Sequence, residues 1–234
     1  MGVAEHLGEK IPLGLDFHDE AGTTVTLAQL VTGPTIILPV FYRCTNVCSV
    51  LQAHMANALQ RLELQPGADY RVLSVSFDEQ ETPKMASRSK QAYLSAMNRP
   101  YPADGWRFLT GDRAAIRSLT DSLGFSFERS GADFFHPVVS ILVDKNGTII
   151  RYLYGASVLP KDLALAVTEA RSGVAGTSIR KVMDYCFTYD PAGKTYVFNL
   201  LRVSATAVIL LAGGFLAFLL ISGKKQRPDS GDKA

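Results

Sequence analysis

TIILPVFYRCTNVCSVLQ, residues 35–52, carries the pattern that decides the fold. Its first seven residues are apolar and rich in β-branched side chains, as a strand buried on both faces should be. From Asn46 to Leu64 the period changes. Val47, Val50, Leu51, Met55, Ala58, Leu59 and Leu62 recur at helical spacing, and Gln65-Pro66-Gly67 ends the run. A buried strand therefore passes directly into a helix, and Cys44 and Cys48 lie at that junction.

Working outward, RVLSVSF (71–77) reads as a second buried strand and Thr82-Pro83 opens a helix reaching Met97. Trp106–Leu109 reads as a third strand, followed by a helix over Asp112–Leu123. Val138–Val143 and Thr148–Tyr154 flank Asp144-Lys145-Asn146-Gly147, an Asn-Gly hairpin signal. Pro160–Arg171 reads as the last helix of the domain, and Ser172–Ser178 as a linker. This order predicts an α/β sandwich with a mixed central sheet over residues 1–172.

The chain has 234 residues and three cysteines, too few for a disulfide-built scaffold. Its net charge of +2 is unevenly placed. Residues 194–234 hold six basic and two acidic side chains, whereas 1–193 hold 18 basic and 20 acidic. The main domain thus lacks the basic excess that phosphate neutralisation needs, which argues against nucleic-acid binding.

Residues 203–221, VSATAVILLAGGFLAFLLI, carry no charge. At 1.5 Å per residue they span about 28 Å, a bilayer's hydrocarbon thickness. The expected organisation is a linker and juxtamembrane segment at 173–198, a transmembrane helix at 199–222 and a cytoplasmic tail at 223–234. Lys224, Lys225 and Arg227 follow the span, which places the C-terminus in the cytoplasm and the domain on the periplasmic side. An exported domain needs a leader. Residues 1–30 show none, so a signal peptide removed from this numbering is expected.

Cys44 and Cys48, four residues apart at a helix start, project their sulfurs to one side. Helix-start N–H groups lower a thiol pKa and favour thiolate, the form that attacks disulfides and ligates metals. Two soft sulfurs suit Cu(I), or Zn(II) with further ligands, and the same pair can close as a disulfide. Among the four histidines, His6, His18 and His54 read as solvated or packed. His136, in GADFFHP ahead of the VVSILV strand, is placed to approach the cysteines. Cys186 has no evident partner.

FYRCTNVCSVLQ, SVSFDEQETP, FFHPVVSILVDKNGTIIRYLYG and DYCFTYDPAGKTYVFNLLR, taken in order, resemble the Sco/SenC family, in the subgroup with a C-terminal membrane anchor. The resemblance covers about residues 8 to 222. It implies a thioredoxin-like fold and a copper ion held by Cys44, Cys48 and His136. It also implies a role in assembling the binuclear copper site of cytochrome c oxidase subunit II, with a thiol reductant as second partner. Asp78 falls where the family has an acidic residue beside the site, behind the ligands. Thr45 and Ser49 stand where many members carry proline, which implies a less rigid loop. Pro137 echoes the cis-proline that precedes a strand in thioredoxins. Read without copper, Cys44 and Cys48 would act as the redox pair of a thiol-disulfide oxidoreductase. A thiol peroxidase and a copper or redox sensor are the remaining alternatives.

Overall fold

The computed structural model describes residues 2–175, 187–190, 195–198, 208, 211–213 and 215. The chain divides into two compact units, Met1–Gly176 and Thr177–Ala234.

In the first unit, β1 (Thr35–Val40) and β2 (Arg71–Ser76) run parallel at the centre of a five-stranded sheet. Every residue of β1 is buried. β3 (Trp106–Leu109) extends the parallel side, pairing Val72 with Trp106. β4 (Val139–Val143) lies antiparallel on the other side of β1, and β5 (Ile149–Tyr154) forms the far edge, giving the order β5-β4-β1-β2-β3. The sheet is mixed, and each parallel step is bridged by a helix, as parallel connections require. α1 (Val47–Gln60) joins β1 to β2, and α2 (Pro83–Ser95) joins β2 to β3. α3 (Arg113–Ser122) follows β3, and α4 (Pro160–Ser172) follows β5.

Proline is rare inside a sheet because it cannot donate to the ladder. Pro39 is tolerated in β1 because pairing with β4 ends at Ile37, so no strand on that side awaits its N–H. The β4–β5 hairpin turns on Asp144, whose Oδ1 accepts the N–H groups of Asn146 and Thr148, both at 2.8 Å. Gly147 has φ +76, and a Cβ there would stand 3.1 Å from Ile11 and Leu13. The turn thus needs glycine for conformation and for space.

A polar thread runs through the core beneath α1. The Trp106 Nε1–H donates to Ser74 Oγ at 3.0 Å, and the Ser74 hydroxyl donates to Gln52 Oε1 at 3.1 Å. Gln52 sits one helical turn after Cys48, so the thread fixes α1 against β2 and β3. Trp106, Ser74 and Gln52 are all buried, and their mutual bonding avoids the cost of unpaired polar groups.

Thr82 occupies the cap position of α2, but its side chain makes no capping bond; Pro83 at the first turn sets the start. Residues 173–198, read as linker and juxtamembrane segment, include two antiparallel strands, Phe187–Asp190 and Thr195–Phe198. No helix of the described residues is long and apolar enough to cross a membrane. Most of 203–221 lies outside the described residues. Val208, Leu211, Ala212, Gly213 and Phe215 are described, and each is helical and exposed.

Candidate metal and redox centre

The last ladder bond at the end of β1 runs from the Phe77 N–H to the Val40 carbonyl at 2.9 Å. The chain then leaves the sheet in a turn closed by Cys44 N–H donating to the Phe41 carbonyl at 3.3 Å. α1 starts at Val47, one residue after the Asn46 onset of helical spacing in the sequence. Cys44 therefore belongs to the turn, and Cys48 to the first turn of the helix. The Asn46 N–H, one of the open donors at the helix start, points at Cys44 Sγ from 3.4 Å. Ser49 Oγ donates to the Cys44 carbonyl and ties turn to helix. Both cysteines are free thiols and both are buried.

His136 lies between the short strand Asp133–Phe135 and β4. Its Nε2 is 3.5 Å from Cys48 Sγ. Its Nδ1 lies 2.8 Å from the Pro137 carbonyl. A carbonyl oxygen only accepts, so Nδ1 carries the proton and the Nε2 lone pair faces the sulfurs. That is the tautomer a metal ligand needs. Phe41, Phe77 and Phe125 surround the ring at centroid distances of 5.8, 5.2 and 6.4 Å. The donor atoms of Cys44, Cys48 and His136 all lie within 4.8 Å of one another. A three-coordinate ion with bonds of roughly 2.0–2.3 Å separates its ligands by roughly 3.5–4 Å. The triangle fits such an ion after its longest edge contracts by about an ångström.

The electrostatics correct one expectation. Helix-start donors were expected to lower the thiol pKa. Instead, burial pushes Cys48 well above its ordinary value, and a backbone hydrogen bond from Phe41 offsets this only in part. Cys48 is therefore a neutral thiol at pH 7 until something displaces its proton.

Asp78 is buried and contacts neither sulfur through a hydrogen bond. It accepts from Arg43, next to Cys44, and from Arg129, in the hairpin strand Glu128–Ser130 that pairs with Asp133–Phe135. It thereby ties the cysteine turn to the segment that presents His136. Burial alone would raise its carboxyl; the Arg129 and Arg43 hydrogen bonds overcome burial and hold it below its ordinary value. Arg129 also lies over the Phe134 ring at 4.4 Å.

The other histidines are engaged elsewhere. His6 Nδ1 meets the Ser122 carbonyl at 3.0 Å, and His54 Nδ1 the Ala156 carbonyl at 3.0 Å. His18 Nδ1 is 3.3 Å from Thr24 Oγ1. Cys186 lies outside the described residues. The peptide before Pro137 is trans, since no cis bond occurs among the described residues. Sequence reading missed Arg43, Glu81 and Arg129. Arg43 carried the one available signal, a charge set between a buried strand and a cysteine.

A mixed α/β domain presenting two thiols and an imidazole at one point defines a protein that handles soft metal ions, disulfides or both. Residues 8–170 match the family model SCO1/SenC. The chain is 30% identical over 163 residues to the SCO1 protein homolog of Bacillus subtilis, covering 67% of this chain and 80% of the relative. The protein belongs to the SCO1/SenC family. Its fold is shared by Arabidopsis thaliana ScoI with copper bound, at TM-score 0.56 and 20% identity, covering 69% of this chain and 99% of the other. It is shared equally by BsSco, a member of the Sco family of cytochrome c oxidase assembly proteins in which a disulfide switch was identified. There the TM-score is 0.56 at 21% identity, covering 72% and 98%.

Proposed function

We propose that this protein binds one copper ion through Cys44, Cys48 and His136. It then delivers the ion to, or prepares the thiols of, the binuclear copper site of cytochrome c oxidase subunit II. The observation that carries this reading is the convergence of the three donor atoms within 4.8 Å. Family membership and the copper-bound relative support the choice of metal. The oxidase-assembly relative supports the target. In this reading copper is cargo. A thiol reductant first converts the Cys44–Cys48 disulfide to two thiols. Copper then displaces their protons, and an acceptor's cysteines take the ion by stepwise ligand exchange. Three ligands leave a coordination position for that attack. The apolar span at 203–221 would hold the domain on the periplasmic side, where proximity to the oxidase raises effective concentration.

Titration of the reduced full-length chain with Cu(I) from a bicinchoninate complex should load one ion per chain. Retention of less than a tenth of an equivalent would overturn the reading. The pH dependence follows from Cys48. Its raised thiol pKa means that binding releases its proton throughout pH 6–9. Apparent affinity should therefore rise at least about tenfold per pH unit. A flat profile would mean that Cys48 is no ligand.

A second reading is that of a thiol-disulfide oxidoreductase. It is favoured by the two free thiols, whose sulfurs lie within 4.8 Å of each other. Cys44, the less buried sulfur, would attack and Cys48 would resolve the mixed disulfide.

A further inference from the structure

The turn that carries Cys44 is gripped from below by a carboxylate. Where β1 ends, β2 has also ended, so the N–H groups of Tyr42 and Arg43 have no strand to bond. Glu81 supplies what the sheet does not. Its Oε2 accepts the Tyr42 N–H at 2.7 Å, and its Oε1 accepts the Arg43 N–H at 2.7 Å. These are the two central residues of the Phe41–Cys44 turn. The carboxylate is itself held in place by Ser76 Oγ, which donates to Oε2 at 2.6 Å. The Glu81 side chain is fully buried. Among the described residues neither amide has another hydrogen-bond partner, so a different turn geometry would leave a partly buried donor or a buried carboxylate oxygen unpaired.

The geometry points to Glu81 as a positioning residue for Cys44. By clamping both central amides it sets the direction in which the chain leaves the sheet, and hence where Cys44 Sγ stands relative to Cys48 and His136. It touches neither sulfur. Two amides and one carboxylate form a charge-assisted pair of bonds, stronger than neutral ones. A glutamine offers one oxygen to one amide and turns an N–H₂ toward the other. This inference deepens the proposed copper reading, but its main consequence holds without copper.

The dithiol equilibrium reads the position of Cys44 directly. In it, two Cys thiols and oxidised glutathione give the Cys44–Cys48 disulfide and two reduced glutathiones. Two electrons pass from the protein sulfurs to the glutathione sulfurs, and two protons move with them. A loosened turn lowers the effective concentration of Cys44 opposite Cys48. In the full-length chain, Glu81→Gln and Glu81→Ala should each shift this equilibrium about tenfold toward the dithiol. Where Cu(I) binds to the parent, its affinity should fall about tenfold as well. Asp112→Ala, which removes the cap bond to the Ala115 N–H of the distant α3, should leave both readouts within twofold of the parent. If both Glu81 variants fail to fold, Ser76→Ala, which removes the hydroxyl that holds the carboxylate and that also accepts the Asp78 N–H at 3.1 Å, should give a smaller shift of the same sign.

Failure of the parent to bind Cu(I) would sink the copper reading and leave Glu81 to be judged on the glutathione equilibrium alone. Glu81 variants within twofold of the parent would overturn the positioning role. So would an Asp112→Ala shift as large as theirs, since that would be general softening, or an unshifted Ser76→Ala where it stands in for them.

Discussion

His136→Ala is expected to lower the affinity of the reduced chain for Cu(I) by about 100-fold or more while leaving disulfide exchange intact. Loss of a group that merely supports a metal ligand costs 10–100-fold, and loss of a ligand exceeds that. The imidazole is the one donor supplied from outside the strand–helix junction. It reaches Cys48 from 88 residues away. The thiols themselves are placed by the Phe41–Cys44 turn and by α1, neither of which depends on the ring. A competition titration with a Cu(I) chelator and a disulfide-reduction assay on the same variant separate the two readings. Lost copper with undiminished exchange supports a copper carrier. Unchanged copper affinity would reduce the site to a bare dithiol and favour the oxidoreductase.

Trp106→Ala should destabilise the domain by about 3–5 kcal/mol, a large share of the whole stability of a domain this size. Trp106 is fully buried, stacks against Tyr93 and packs at a tilt against Phe108. Its removal also leaves Ser74 Oγ without a donor in a dry core. Trp106→Phe keeps an aromatic ring and most of the volume but loses the pyrrole ring with its N–H, so a smaller loss of about 1–2 kcal/mol is expected. Denaturant unfolding of both variants checks the order. Equal losses would mean that the polar thread through Ser74 and Gln52 carries the stability and the ring volume does not.

The sequence was most legible where a local pattern and a tertiary need coincide. Thr35–Phe41 reads as a central strand because its apolar run has no polar face, and the structure buries all of β1. The Asp144-Lys145-Asn146-Gly147 turn was readable because its side-chain and glycine requirements are local. The helical spacing also located the start of α1, with Asn46 at its cap and Val47 its first residue. Cys44 is held by a turn whose stability comes from Glu81, 38 residues beyond Arg43, and no local pattern announces that bond. The same distance hid the role of Arg129. Asp78 could be singled out only by resemblance; its link between Arg43 and Arg129 depends on two loops meeting. The sign of the Cys48 shift was wrong for a related reason. Helix-start donors are visible in sequence, whereas the phenylalanine wall that dries the site is assembled from Phe41, Phe77, Phe125 and Phe134 across the fold.

X-ray absorption of the copper-loaded, reduced full-length chain tests the central claim most directly. The account predicts two sulfur neighbours and one nitrogen neighbour at roughly 2.0–2.3 Å, with the nitrogen signal lost in His136→Ala. A shell of sulfur alone, or one of nitrogen and oxygen alone, would contradict it.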